Sequence, residues 1–144
     1  MGILALPISA YSMTTGKSDF KAGYHAFPET VGQHIRKRRI DLGLFQKEVA
    51  SIIGISTDCI TYWENGRAQP QIHYPKIISF LEYYPFEESD TFDGRITKYR
   101  RMNGLTYKQV GKIIGVAGST VASWEAGKTM PNSSVIKHIY KILG

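Results

Sequence analysis

Four polar side chains near the middle of the chain could recognise a surface by hydrogen bonding: Thr57, Asp58, Thr61 and Tyr62. Hydroxyl groups donate and accept hydrogen bonds, whereas an ionised carboxylate only accepts them. In a helix, residues spaced by three and four positions lie on the same side. Ile60 and Trp63 then lie on the opposite, inward side. The pattern predicts a short helix that presents a polar face and buries an apolar one.

Residues that commonly catalyse reactions or bind metals are not grouped in the sequence. The four histidines are scattered, and the single cysteine, Cys59, allows neither an internal disulfide nor a cysteine-based zinc site. Residues 122–129, ASWEAGKT, approach a phosphate-binding loop pattern, but Ala122 replaces the first glycine and the stretch begins inside a predicted helix. We therefore expect no enzymatic activity, no metal site and no cofactor.

Two helices are needed to position the polar face. The first is predicted over Gln46–Ile53, because its apolar residues recur at helical spacing: Val49, Ile52 and Ile53. Gly54 follows, at the position where helices often end in a left-handed residue. Ser56 is a suitable N-cap for a second helix over Thr57–Glu64. Two helices joined by a short turn that contains glycine form a helix-turn-helix, whose second helix enters the major groove of DNA.

The same pattern occurs twice in the chain. When the numbering is shifted by 61, residues 35–82 align with residues 96–143 without a gap, and sixteen positions are identical. Four of the identical pairs are Arg39/Arg100, Gly54/Gly115, Trp63/Trp124 and Glu64/Glu125. A gapless internal repeat is strong evidence of two similar structural units.

The segment RKRRIDLGLFQKEVASIIGISTDCITYWENGRAQP, residues 36–70, resembles the Cro/repressor-type (XRE) helix-turn-helix family. The resemblance covers about residues 30–81 and again 92–143, and it rests on Arg39, Gly43, Leu44, Gln46, Ala50, Gly54, Ile60, Trp63, Glu64, Gly66 and Pro70. It implies an all-α fold with two tandem lambda-repressor-like helix-turn-helix domains of four to five short helices each. It also implies binding to double-stranded DNA.

The resemblance further implies roles for single residues. Arg39 would pair with Glu64, and Arg100 with Glu125, as structural ion pairs. Gln46, at the start of the second helix, would hold a DNA phosphate. Basic residues beside these helices are further predicted phosphate contacts: Lys47, Arg67, Lys108 and Lys128. The predicted base contacts are Thr57, Asp58, Thr61 and Tyr62, although Asp58 equally suits the positive N-terminal end of its helix.

The second repeat differs from the first in its charge and in its reading face. From Thr91 onward there are nine basic and two acidic residues, whereas residues 31–84 contain seven and five. The residues of its reading face are small: Gly118, Ser119, Ala122 and Ser123. We therefore expect the first repeat to read bases and the second to grip phosphates or to contact a partner.

The boundaries of the domains follow from breaks in the helical pattern. We predict a flexible N-terminal tail over residues 1–29, a first helix-turn-helix domain over 30–84, a linker over 85–90 and a second domain over 91–144. The first helix begins after Thr30 as its N-cap and carries Arg36, Lys37 and Arg38, which we expect to lie mostly on a solvated surface. A fourth helix is predicted over residues 74–83. In the second repeat, helices are predicted over residues 92–103, 107–114, 119–125 and 133–143.

These patterns together predict a cytoplasmic, sequence-specific DNA-binding regulator of transcription, most simply a repressor. The net charge of +6 and the pI near 9.4 suit a polyanionic partner. Two arrangements stay open: both repeats of one chain on two half-sites, or a homodimer joined through the second repeats. The alternative function is a protein-interaction module or an antitoxin whose second repeat binds a protein partner. No association with a membrane is expected.

Overall fold

The computed structural model describes residues 23–144, and all regular secondary structure within that range is helical, with no strand. The predicted all-α fold is therefore confirmed. The first repeat contains α1 (Val31–Asp41), α2 (Gln46–Ile53), α3 (Thr57–Glu64), a 3-10 turn (Gln71–His73) and α4 (Tyr74–Leu81). The second contains α5 (Phe92–Met102), α6 (Tyr107–Ile114), α7 (Gly118–Glu125) and α8 (Ser133–Leu143).

Helices α2 and α3 begin and end at the predicted residues, and α1 begins directly after Thr30 as predicted. The Thr30 hydroxyl accepts a hydrogen bond from the Gln33 backbone N–H at 3.1 Å, and the Ser56 hydroxyl accepts one from Cys59 at 3.3 Å. These caps satisfy N–H groups that have no partner inside the helix. Gly54 ends α2 in the left-handed conformation, with φ of 85°. The turn between α2 and α3 is therefore set by Gly54 and Ser56.

The second repeat reproduces the helix order but not every cap. Thr106 caps α6, and the side chain of Gln109 in turn accepts a hydrogen bond from the Thr106 N–H at 2.9 Å. Gly115 ends α6 with φ of 84°. Ala117 stands at the N-cap of α7, where it has no side-chain oxygen to offer. The helix begins one residue earlier than the predicted Ser119, at Gly118.

The described chain forms two compact units. The first comprises the described residues up to Gln69 together with Lys76–Pro85, and the second comprises Pro70–Pro75 together with Phe86–Gly144. In the first unit the fully buried side chains include Ile35, Val49, Ile53, Ile60, Ile77 and Leu81. In the second, a single cluster joins Phe92, Ile96, Val110, Ile114, Val121, Trp124 and Ile139. Ile60 and Trp63 of α3 are buried as predicted, at 0% and 4% exposure.

Ile52 does not belong to the buried face of α2, contrary to the sequence-based expectation. The side chain is 56% exposed, and its equivalent Ile113 is 45% exposed. The buried residues of α2 are Val49, Ala50 and Ile53. Successive residues of a helix are about 100° apart, which places Ile52 about 100° around the helix from the middle of the face formed by Val49, Ala50 and Ile53. The helix is short, so only a narrow stripe of it contacts the core.

Two further expectations about the first repeat are corrected. Helix α4 ends at Leu81 rather than residue 83, because Glu82 adopts a left-handed φ of 66°. The basic residues of α1 are not a freely solvated surface. Lys37 pairs with the buried Asp41 at 2.7 Å, and Arg38 contacts Glu82 at 3.2 Å. Arg36 joins the ion pair described below.

The predicted N-terminal tail lies mostly outside the described residues, which include only residues 23–29 of it. Within that part, the Tyr24 hydroxyl donates a hydrogen bond to Asp41 at 2.9 Å, and Lys37 lies over the Tyr24 ring. Among the helices of residues 23–144, none is both long enough and apolar enough to cross a membrane.

Candidate nucleic-acid interface

An ion pair between α1 and the end of α3 holds the first repeat together. Arg39 binds Glu64 through two parallel hydrogen bonds, from Nε to Oε2 at 2.7 Å and from Nη2 to Oε1 at 2.8 Å. The Glu64 side chain is fully buried. Arg36, three residues before Arg39, adds a third bond from its Nε at 3.0 Å. A two-pronged guanidinium–carboxylate contact fixes orientation as well as distance, so the C-terminus of α3 has a set position against α1.

The environment of Glu64 keeps it ionised. Burial alone raises the pKa of a carboxyl group. Hydrogen bonds from Arg39, Arg36 and Gln46, together with the Arg39 charge, outweigh burial and lower the pKa of Glu64 below its ordinary value. The carboxylate therefore remains a hydrogen-bond acceptor throughout the neutral range.

Gln46 connects this ion pair to the polar face of α3. Its Nε2 donates to Glu64 at 3.1 Å, and its Oε1 accepts a hydrogen bond from the Thr61 hydroxyl at 2.9 Å. The Thr61 hydroxyl also lies 3.2 Å from the Thr57 carbonyl oxygen. The single hydroxyl proton of Thr61 is thus directed towards acceptors within the protein. Its oxygen and its methyl group are what it can offer to an outside partner.

The other predicted base contacts lie on the same outward face. Thr57 and Asp58 are exposed in the first turn of α3, and Tyr62 is 47% exposed. The guanidinium of Arg67 lies over the Tyr62 ring, 4.7 Å from its centre, as a cation–π contact. A predicted phosphate contact and a predicted base contact are therefore adjacent. Their adjacency puts positive charge beside the face of α3.

The start of α2 is a second place where positive charge is exposed. Lys47 is exposed there, and Phe45 at the N-cap has no side-chain oxygen with which to cap the helix. Glu48 reaches back to the Phe45 N–H at 2.7 Å. A helix N-terminus carries partial positive charge and free N–H groups, which suit a phosphate.

The equivalent ion pair in the second repeat is simpler. Arg100 binds Glu125 at 2.7 and 2.9 Å, and both side chains are buried. Burial lowers the pKa of an arginine, but the hydrogen bond to Glu125 and its charge raise that of Arg100 above its ordinary value. Tyr107, at the position of Gln46, covers the pair with its ring, 4.4 Å from the guanidinium. An aromatic face thus replaces an amide at this position.

The predicted reading face of the second repeat lies beside an open groove between α6 and α7. Of its residues, Ser119 is exposed and Gly118, Ala122 and Ser123 are half-buried. The Ser123 hydroxyl is hydrogen-bonded to Thr129 at 2.9 Å. The groove, which we call the α6/α7 groove, has a volume of about 790 Å³ and is lined by Tyr107, Lys108, Lys112, Val116, Ala117, Gly118, Ser119 and Ala122. Lys128 is exposed after α7.

Sequence reasoning missed Arg36 and Lys112 as members of these sites. Arg36 precedes Arg39 by three residues and therefore lies on the same side of α1, which is the signal that could have identified it. Lys112 follows Lys108 by four residues and was identifiable in the same way. Neither has an identical counterpart in the other repeat, where Thr97 and Ser51 occupy the equivalent positions.

Comparison with known proteins agrees with this geometry. The helix-turn-helix family matches residues 35–74 and 96–144, one segment in each repeat. The chain is 29% identical, over 98 residues or 65% of its length, to the Type II methyltransferase M1.ScrFI of Lactococcus lactis subsp. cremoris. The chain spans only 22% of the length of that relative. No solved structure matches the chain. Both family matches coincide with the predicted repeats, and the chain therefore belongs to the XRE-type helix-turn-helix family of DNA-binding proteins, as two tandem copies.

Proposed function

We propose that the protein is a sequence-specific duplex-DNA-binding regulator of transcription, which acts as a repressor by occupying an operator. The observation that carries this proposal is the chain of contacts from Arg39 through Glu64 and Gln46 to Thr61. It holds the polar face of α3 rigidly relative to the rest of its unit. Rigid positioning of reading side chains is what discrimination between base edges requires.

The chemistry of the α3 face suits direct readout in the major groove. The Thr57 hydroxyl can donate or accept, the Thr61 oxygen can accept, and its methyl group can contact thymine. Asp58 can accept a hydrogen bond from the cytosine amino group. Lys47, Arg67 and the start of α2 would hold the flanking phosphates. In this proposal hydrogen-bonding readout belongs to the first repeat.

The second repeat contributes mainly to affinity. It has the greater excess of basic residues, and its α7 face presents few hydrogen-bonding side chains. Lys108 and Lys128 would neutralise phosphates, and such contacts supply most of the free energy of non-specific binding. Since the two reading faces differ, one chain that spans two half-sites would select a non-palindromic sequence.

A second candidate is an interaction module, in which the second repeat binds a protein partner or a second copy of the chain. The α6/α7 groove favours it, because an open apolar depression is a common feature of protein-binding surfaces. In this case the chain could act as an antitoxin or as a homodimer. The match to a methyltransferase covers too little of that relative for us to propose an enzymatic activity.

The test is selection of binding sites from a randomised duplex library by the full chain at moderate salt. We expect one sequence to be enriched, and we expect Thr61→Ala and Tyr62→Ala to relax preference over part of that sequence. Ser123→Ala, at the position equivalent to Tyr62, is the matched control and should leave that part unchanged. If nothing is enriched, or if the preference survives both first-repeat substitutions, the assignment of base reading to α3 is wrong.

A further inference from the structure

The α6/α7 groove exists because hydrogen-bonding side chains of the first repeat are replaced by small or apolar ones. The first-repeat residues Ser56, Thr57 and Thr61 correspond to Ala117, Gly118 and Ala122. The bond between Thr61 and Gln46 can have no equivalent, since Ala122 has no hydroxyl group and Tyr107 is stacked on Arg100. What remains is a mainly apolar depression, with Ser119 also in its lining, on the helix that occupies the DNA-reading position.

Close contact between the two helices gives the groove its apolar floor. A Cβ atom at Gly118 would lie 2.9 Å from the backbone Cα and N atoms of Lys108, so the first turn of α7 is in near contact with the start of α6. Val116 and Ala117, in the turn between the helices, line the same depression. Neither residue offers a polar side-chain atom to a ligand.

Two lysines line this apolar depression. Lys108 and Lys112 are four residues apart on α6, so they lie one turn apart on the same side of the helix, and both are exposed. Charge complementarity therefore calls for an occupant that is anionic and also carries a small exposed apolar group. In the major groove of DNA the apolar group at a base edge is the C5-methyl of thymine, and phosphates flank it.

We propose that the α6/α7 groove is a thymine-methyl site, through which the second repeat reads A·T pairs by apolar contact while Lys108 and Lys112 hold the adjacent phosphates. This inference rests on the proposed DNA-binding function and deepens it. Ala117 and Ala122 are the specificity-determining residues, because apolar contact with alanine is a known means of recognising this methyl group. At this groove the second repeat thus reads sequence through apolar contact.

The decisive measurement uses the unaltered full chain and its own selected site. Each thymine of the site is replaced in turn by uracil, which lacks the methyl group but keeps the hydrogen-bonding edge. Loss of one buried methyl should weaken binding about fourfold at the thymines that the second repeat covers. Replacement by 5-bromouracil, whose bromine is close to a methyl group in size, should restore the affinity.

A matched pair of variants assigns the sensitive thymines to the groove. Ala122→Ser adds a hydroxyl inside it, and we expect the uracil penalty at those thymines to fall below about twofold. Ala126→Ser, the control, alters an exposed alanine that does not line the groove and should keep the full penalty. Any effect of uracil on the DNA itself would change the binding of both variants equally, so a difference between them must come from the groove.

The outcomes separate this inference from the proposed function. A defined site at which uracil is tolerated at every thymine, or at which 5-bromouracil behaves like uracil, overturns the thymine-methyl site and leaves the regulator intact. An equal uracil penalty in both variants also overturns it. Failure to enrich any sequence contradicts the regulator itself, and the thymine-methyl site with it.

Discussion

Glu64 and Glu125 occupy equivalent positions, but their surroundings differ. Glu64 accepts hydrogen bonds from Arg39, Arg36 and Gln46, whereas Glu125 is bound by Arg100 under the ring of Tyr107. The family resemblance implied both arginine–glutamate pairs, the recurrence of both partners favoured a structural role for them, and the structure contains both. The sequence did not predict that Gln46 is hydrogen-bonded to both Glu64 and Thr61. These bonds depend on side-chain torsions, and the spacing of residue types along the chain does not show those torsions.

Removing the charge of Glu64 should destabilise the first unit strongly. Glu64→Gln leaves Arg36 and Arg39 without a counter-charge at a buried site, and such a change costs about 3–5 kcal/mol of unfolding free energy. We expect a value near the lower end, since both arginines are partly exposed. Urea unfolding of the full chain measures the change, and Glu87→Gln, in an exposed segment, is the control. Equal stability of the two variants would show that the pair contributes nothing.

The same residue should make stability depend on acidity. The pKa of Glu64 in the folded protein lies below its value in the unfolded chain, which is about 4.3. As the pH falls, the unfolded chain therefore binds the proton first, and the stabilisation is lost progressively through and below that value. We expect the unfolding free energy to fall between about pH 5 and 3, with a smaller fall in Glu64→Gln. Parallel pH profiles of the two proteins would contradict this expectation.

The helices themselves were the most predictable part of the fold. The bounds of α2, α3, α6 and α8 agree with the periodicity of apolar residues and the position of caps and glycines, which act over a few neighbouring residues. The predictions were wrong where tertiary contacts determine which residues are buried or where a helix ends. Ile52 has helical spacing but faces away from the core, and the left-handed Glu82 stops α4 early. Sequence periodicity shows that a face is apolar but not how much of it is covered.

The caps of α3 and α7 differ, and reciprocal substitutions test what each contributes to stability. Ser56 caps α3 through its hydroxyl, and Ala117 cannot cap α7. We expect Ala117→Ser to raise the unfolding free energy by about 1 kcal/mol and Ser56→Ala to lower it by a similar amount. Thermal unfolding of the two variants measures both effects. Changes of the same sign would mean that the hydroxyl acts through something other than the cap.

The glycine in the middle of α6 should be required despite its poor helix propensity. A Cβ atom at Gly111 would lie 2.4 Å from the Val116 carbonyl oxygen, so Gly111→Ala forces the turn before α7 to move. We expect a net loss of up to about 2 kcal/mol, because overpacking costs about 1–3 kcal/mol and the gain in helix propensity offsets about 1 kcal/mol of it. Ala50→Gly is the reciprocal change in the first repeat and should cost about 1 kcal/mol. Chemical unfolding that shows Gly111→Ala to be stabilising would contradict the close contact.

The two repeats share one fold but differ in the surfaces that they present. The repeat was visible in the sequence because many of the residues that build each core recur, including Val49/Val110 and Trp63/Trp124. The residues on the reading faces do not recur, so their roles could not be transferred from one repeat to the other. The base and phosphate contacts remain predictions, since each depends on a partner. The groove beside α7 emerged only once small side chains were placed in three dimensions.

Lys47 and Lys108 occupy equivalent positions at the starts of α2 and α6, and they test whether both repeats touch DNA. If each neutralises one phosphate, Lys47→Gln and Lys108→Gln should each weaken binding uniformly across sequences. Each should also reduce the slope of log affinity against log salt by about 1. Lys141→Gln removes the same charge from α8, outside the helix-turn-helix, and should leave the slope nearly unchanged. A reduced slope for Lys47→Gln alone would mean that the second repeat does not bind the backbone, and it would favour a protein partner there. A reduced slope for both lysines would mean that each repeat contributes its own phosphate contacts.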